Sequence, residues 1–178
     1  MIVFRHCDSR FPFLWDAPEQ PAARWHDLDE GPVHYLADTP DGAWAEFIRH
    51  EDIDDPADLQ TITRALWAIE VPDEDHPEPQ LPPGTLVGGR DTYPRCRAEA
   101  RRLRDEGHGG FLAPSAALFP WGAAGWRVDA GLVPGPTRSG RVLALFGRRP
   151  DLVGWAATVA GWPSEDLLPK VRYFDKLR

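Results

Sequence analysis

Residues 32–50, Pro-Val-His-Tyr-Leu-Ala-Asp-Thr-Pro-Asp-Gly-Ala-Trp-Ala-Glu-Phe-Ile-Arg-His, carry the reading on which the fold turns. Pro32 to Ala37 reads as a strand. Thr39 follows as a helix N-cap, with Pro40 at the first helical position and Asp41 beside the positive helix end. The helix is expected to run to about His50, with Ala43, Trp44, Phe47 and Ile48 as its apolar stripe.

Working outward from this strand and helix, Ile2-Val3-Phe4 reads as a short strand ending at Arg5. Residues 7–31 hold Pro12, Pro18, Pro21 and several aromatics, and read as a long ordered loop of the functional kind. On the other side, Pro56 opens a second helix and Ala65 to Val71 alternates like a strand. Pro72 to Pro83 is acidic and proline-rich, which predicts a solvated surface loop. Tyr93 to Asp105 reads as an arginine-rich helix stopped near Gly107. Gly110 to Ala113 reads as a strand leading into Pro114-Ser115, and Val142 to Phe146 as another. The glycine- and proline-rich residues 120–140 are expected to form a second long loop, and Leu152 to Trp162 a helix. Strands and helices do not alternate as βαβ units, so the expectation is a single α+β domain over residues 1–178, with central β-sheets flanked by helices.

The chain has 178 residues, one domain by length, and 42 % hydrophobic residues, enough for a core. Its net charge of −8 argues against a direct nucleic-acid binder, which needs a basic footprint. All but two of the basic residues are arginines (the lysines are Lys170 and Lys176), so planar forks for phosphate or carboxylate are plentiful. Cys7 and Cys96 allow one disulfide at most, and neither belongs to a C-x-x-C pair, so no metal site is expected. Arg5, Asp8, Arg10, Asp16 and Glu19 interrupt any signal-peptide core, and Pro114 and Pro120 break the charge-free run from Gly109 to Trp126. A soluble cytoplasmic domain without membrane contact is the expectation.

Four places invite a chemical reading. Arg24-Trp25 suits a phosphate clamp beside a packing ring, although taken alone the arginine is more simply read as a surface ion pair. His34 and Tyr35 fall on opposite faces of their strand, so one can face a cleft while the other packs. Glu46 sits at the edge of the apolar helix stripe, where a carboxylate either reaches a cleft or is solvated. Ser115 follows a strand without a G-x-S-x-G elbow, which suits a ligand-holding or strand-ending hydroxyl better than a nucleophile.

Taken in order, Phe4-Arg5, Ala23-Arg24-Trp25, Pro32 to Ala37, Ala43-x-x-Glu46, Pro114-Ser115-Ala116 and Val142-Leu143-x-Leu145-Phe146 resemble the RES-domain family over roughly residues 2–150. Residues 151–178 then stand as a helical or irregular extension. The resemblance implies a fold like that of ADP-ribosyltransferase toxins, an activity that degrades NAD without a metal, and a partner antitoxin of the Xre type. It is compatible with a homodimer. The family's namesake arginine, glutamate and serine would be Arg24, Glu46 and Ser115, with Arg5, Trp25, His34 and Tyr35 lining the NAD pocket. Arg24 and Arg5 would clamp the pyrophosphate, Glu46 would bond a ribose hydroxyl, Tyr35 would stack on nicotinamide, and Ser115 would hold a hydroxyl or the amide. The chain departs from the family pattern at Ala22-Ala23, where Gly-Gly is common, at His26, where Asn is common, and at Ala117, where Arg is common. The resemblance leaves three readings: a glycohydrolase or phosphorylase of NAD, an ADP-ribosyltransferase acting on a protein, and a degenerate domain that binds a nucleotide or partner without catalysis.

Overall fold

A computed structural model describes residues 1–14 and 19–174. Pro18 of the long first loop, Asp16, and the last four residues with Lys176 lie outside the described residues. Eight strands and four α-helices follow in chain order: β1 (Ile2–Cys7), β2 (Val33–Ala37), α1 (Pro40–His50), α2 (Pro56–Leu59), β3 (Arg64–Glu70), α3 (Pro83–Val87), α4 (Tyr93–Asp105), β4 (Gly110–Pro114), β5 (Trp126–Val128), β6 (Leu132–Pro134), β7 (Arg141–Phe146) and β8 (Val153–Gly161). Two 3-10 turns, Arg90–Thr92 and Glu165–Lys170, complete the set.

Six strands form one antiparallel sheet in the order β4-β7-β2-β1-β3-β8, the α+β architecture expected from the sequence. The ladders that flank the centre are continuous, and the centre is not. β1 matches β3 from Ile2↔Glu70 to Cys7↔Ala65, and β2 matches β7 from Val33↔Phe146 to Ala37↔Val142. β1 and β2 share only the pair Phe4↔Ala37. Beyond it the two strands diverge, and the sheet opens like a wedge.

α1 begins immediately after β2 because the sequence stops the strand and caps the helix within three residues. The Thr39 hydroxyl accepts from the Gly42 N–H at 3.0 Å, and Pro40 follows with no N–H to satisfy. The apolar stripe of α1, including Trp44, Phe47 and Ile48, is buried against Leu66, Leu118 and Leu167. A second cluster packs Trp25, Cys96, Leu103 and Phe111 under α4, and a third places Val3, Leu36, Ile69 and Leu145 on the other face of the sheet.

Two expectations fail. Leu152 to Trp162 forms strand β8 in place of a helix. Its small, uncharged residues carry little period-two signal because it is an edge strand exposed along much of its length. Register shifts between Arg64 and Trp67 further break the alternation, and Gly154 leaves room for the Phe13 ring. Val153–Gly161, within the stretch expected to be a helical or irregular extension, is therefore part of the sheet. Within 120–140, the glycine-rich stretch contains a small hairpin, β5–β6, turned by Ala130 and Gly131 at positive φ. β1 also runs on past Arg5 to Cys7. No helix among the described residues is long and apolar enough to cross a membrane, and both cysteines are free and buried.

Because α1 hangs on its cap, Thr39→Ala should lower unfolding free energy by about 1 kcal/mol. Urea denaturation measures this, and an unchanged midpoint would show that the cap contributes nothing.

Candidate active site

The wedge between β1 and β2 holds a cavity of about 520 Å³. Each wall comes from a segment with a local reason to be there. β1 supplies Phe4 to Cys7 as it leaves β2, and β2 supplies Tyr35 on the face opposite His34. α1 runs past the wedge and presents Glu46, Arg49 and His50. The first long loop folds back through an Ala23↔His26 bridge and brings Arg24 and Trp25 to the rim.

Of the seven residues singled out in the sequence, Arg5, Arg24, Trp25, Tyr35 and Glu46 line this cavity. Arg24 is no surface ion pair: it is buried, with Nη2 donating to the Gly88 carbonyl at 2.7 Å and Nη1 to Thr92 Oγ1 at 3.2 Å. The Tyr93 ring lies 4.8 Å from its Cζ. Gly88 has to be glycine for this approach, since a Cβ there would meet the Gly84 carbonyl oxygen at 2.7 Å. Trp25 packs edge-to-face on Phe111, and its backbone N–H donates to the Tyr35 hydroxyl at 3.1 Å. That hydroxyl also lies 2.9 Å from His26 Nδ1, so His26 orients the cavity tyrosine. Burial pushes the Tyr35 phenol well above its ordinary range, which keeps it a neutral hydroxyl.

Arg5 is held differently. Burial lowers its pKa, and its Nη1 is buried with no hydrogen-bond partner among the described residues. Glu46 keeps 28 % of its side chain exposed, with Oε2 3.8 Å from His50 Nε2. The carboxylate is therefore at the cavity wall and still reachable.

His34 and Ser115 do not line the cavity. His34 is fully buried on the other side of β2. Ser115 is buried beside the cavity, between the lining residues Pro114 and Ala116, and its hydroxyl accepts from the Leu118 N–H at 3.1 Å. That bond closes the turn after β4.

Several wall residues escaped the sequence reading. Arg49, Arg64, His6, Tyr93 and Phe174 all face the cavity. Arg49 alone had a signal, since it lies three residues after Glu46 on the same helix face. Burial pushes its pKa down to about 10, so it stays cationic at neutral pH, and its buried Nε has no partner among the described residues. Four arginines against the carboxylates of Glu46 and Asp8 make the lining cationic within a chain of net charge −8. Among the described residues, no three His, Cys, Asp or Glu side chains are grouped to hold a metal ion.

A family model described as the RES domain matches residues 3–164. The chain belongs to the RES domain family. The match extends beyond the motif resemblance at residues 2–150 and takes in β8, in agreement with its place in the sheet. Among solved structures, the chain is similar to the M. tuberculosis MbcT–MbcA toxin–antitoxin complex. The TM-score is 0.56 at 15 % identity, covering 94 % of this chain and 86 % of that one. At that identity the likeness speaks for the fold. No curated protein sequence matches this RES chain at a significant level.

His6 gives the site a pH signature. Burial, and then the positive charges of Arg64 and Arg5, push its pKa from 6.5 to about 3, and its Nδ1 accepts from Arg64 Nε at 3.1 Å. The folded protein thus keeps His6 neutral where the unfolded chain protonates it. Its contribution to stability is intact above about pH 6.5 and is lost as pH falls toward 3, at up to ~1.4 kcal/mol per pH unit. His6→Gln should flatten the stability profile between pH 4 and 6.5 relative to wild type. Parallel profiles for the two proteins would contradict the buried neutral imidazole.

Proposed function

We propose that this RES domain is an enzyme that cleaves the nicotinamide–ribose bond of NAD, as a glycohydrolase or phosphorylase. The observation that carries the reading is the buried guanidinium nitrogen Arg5 Nη1, without a partner among the described residues, in a cavity that also bears the Glu46 carboxylate. Buried donors lacking partners are costly in a folded protein, and an anion is the ligand that satisfies them. A diphosphate between two nucleosides supplies that anion, and its forks suit arginine.

In the reaction, the C1′–N bond breaks and its electron pair goes to the nicotinamide nitrogen, which neutralises that cationic ring. The leaving group needs no proton. Positive charge develops on C1′ and the ribose oxygen, and Glu46 offsets it across the wall from the arginines. Water or phosphate then attacks C1′; water gives up a proton and yields ADP-ribose. Tyr35 and Tyr93 offer planar faces to the ring being released. Arg24, bonded to the Gly88 carbonyl and Thr92, holds its cation at the cavity wall where it favours the diphosphate.

The likeness to a toxin of a toxin–antitoxin complex supports a wider reading, in which this chain is the toxin of such a pair. A protein antitoxin, of the Xre type by family resemblance, would be its partner in the cytoplasm.

Nicotinamide release from NAD by the purified protein, with and without phosphate, tests the reading. Wild-type protein should release nicotinamide, and Glu46→Ala should lower the rate about a hundredfold or more while leaving the melting temperature nearly unchanged. Phosphate dependence would identify the acceptor. A fully active Glu46→Ala would overturn the mechanism, and a modified protein band with NAD consumed only in proportion to it, rather than quantitatively, would favour transfer to a protein.

A further inference from the structure

We propose that Arg49 is a positioning residue whose guanidinium holds the Arg24, Glu46 and Ser115 corners of the site in register; the proposal rests on the NAD reading above. The three corners come from segments far apart in the chain, and one buried side chain reaches all of them. Arg49 is 2 % exposed and lies one helical turn beyond Glu46 on α1. Its Nη1 donates to the carbonyl of Ala116, the residue after Ser115. Its Nη2 donates at 3.3 Å to the Gly88 carbonyl, the same oxygen that takes Arg24 Nη2 at 2.7 Å.

A buried cation needs its solvation replaced, and two carbonyls supply only part of it. The tail supplies more. Phe174 places its ring 4.1 Å from Arg49 Cζ and 4.9 Å from Arg90 Cζ, with His50 edge-on to it at 5.8 Å. The tail is brought there by a bond from the Arg172 N–H to the Ala117 carbonyl at 2.7 Å, and from the Tyr173 hydroxyl to the Ile53 carbonyl at 2.7 Å. Phe174 lies beyond residues 3–164 that the family model matches.

The planar fork is what makes Arg49 suited to the role. Lysine would keep the charge but could not hold two divergent carbonyls in one plane. A small displacement of Glu46 relative to the clamp would then lower the rate of bond cleavage more than it weakens binding.

The test is steady-state nicotinamide release, with melting temperatures, for wild type, Arg49→Lys, Phe174→Leu and Phe174→Tyr. Arg49→Lys should lower kcat about tenfold or more, with KM for NAD changed less than about threefold. Phe174→Leu, which keeps apolar bulk but loses the ring, should show the same pattern to a lesser degree, and Phe174→Tyr should restore the wild-type rate. A folded Arg49→Lys with unchanged kcat would overturn the proposal. So would a raised KM at unchanged kcat, which would make Arg49 a ligand contact. Should Arg49→Lys fail to fold, Phe174→Leu decides, and an unchanged kcat there overturns the proposal. Absence of release by wild-type protein is a separate result, which removes the NAD reading and this role together.

Discussion

β1 and β2 are joined at a single register pair, Phe4 with Ala37, and everything in the site depends on their parting after it. Each strand is secured on its outer side, β1 by six pairs to β3 and β2 by five to β7, so the sheet survives an open centre. The space that results has backbone on two sides and is roofed by α1, which enters directly from β2 through the Thr39 cap. A strand ladder that ran on would have filled the wedge with paired backbone, leaving no cavity for Glu46 and Arg5 to line.

The wedge accounts for the concentration of arginine in an acidic chain. Buried guanidinium groups destabilise a fold unless carbonyls, rings or anions take their hydrogens. Arg24 is satisfied by backbone carbonyl and hydroxyl groups, and this fixes the loop that carries it. Arg5 and Arg49 each keep a buried donor without a partner among the described residues. The global charge of −8 repels a dianion at long range, so the proposed recognition of NAD rests on short-range donors such as Arg5 Nη1 rather than on steering.

Much of this was legible in the sequence wherever local chemistry decided the outcome. The Thr39-Pro40 cap, the span of α4 and the strands β2, β3, β4 and β7 follow from spacing and punctuation. β8 did not, because an edge strand with exposed faces has no alternation to read and is fixed by its pairing to β3. At the site, the order of motifs pointed to Arg5, Arg24, Trp25, Tyr35 and Glu46, all of which converge. Tyr93, Arg64 and Phe174 reach the cavity only through the crossing of distant segments, and no local pattern marks them. Ser115 shows the reverse case, a motif residue whose hydroxyl is engaged by its own turn.

The central claim is that the arginine-lined wedge recognises a dinucleotide through its diphosphate, and calorimetric titration of ADP-ribose beside adenosine tests it most directly. The account predicts that ADP-ribose binds, that adenosine binds far more weakly, and that Arg5→Gln weakens ADP-ribose by about tenfold or more. Equal affinity for the two ligands, or unchanged ADP-ribose binding in folded Arg5→Gln, would contradict it.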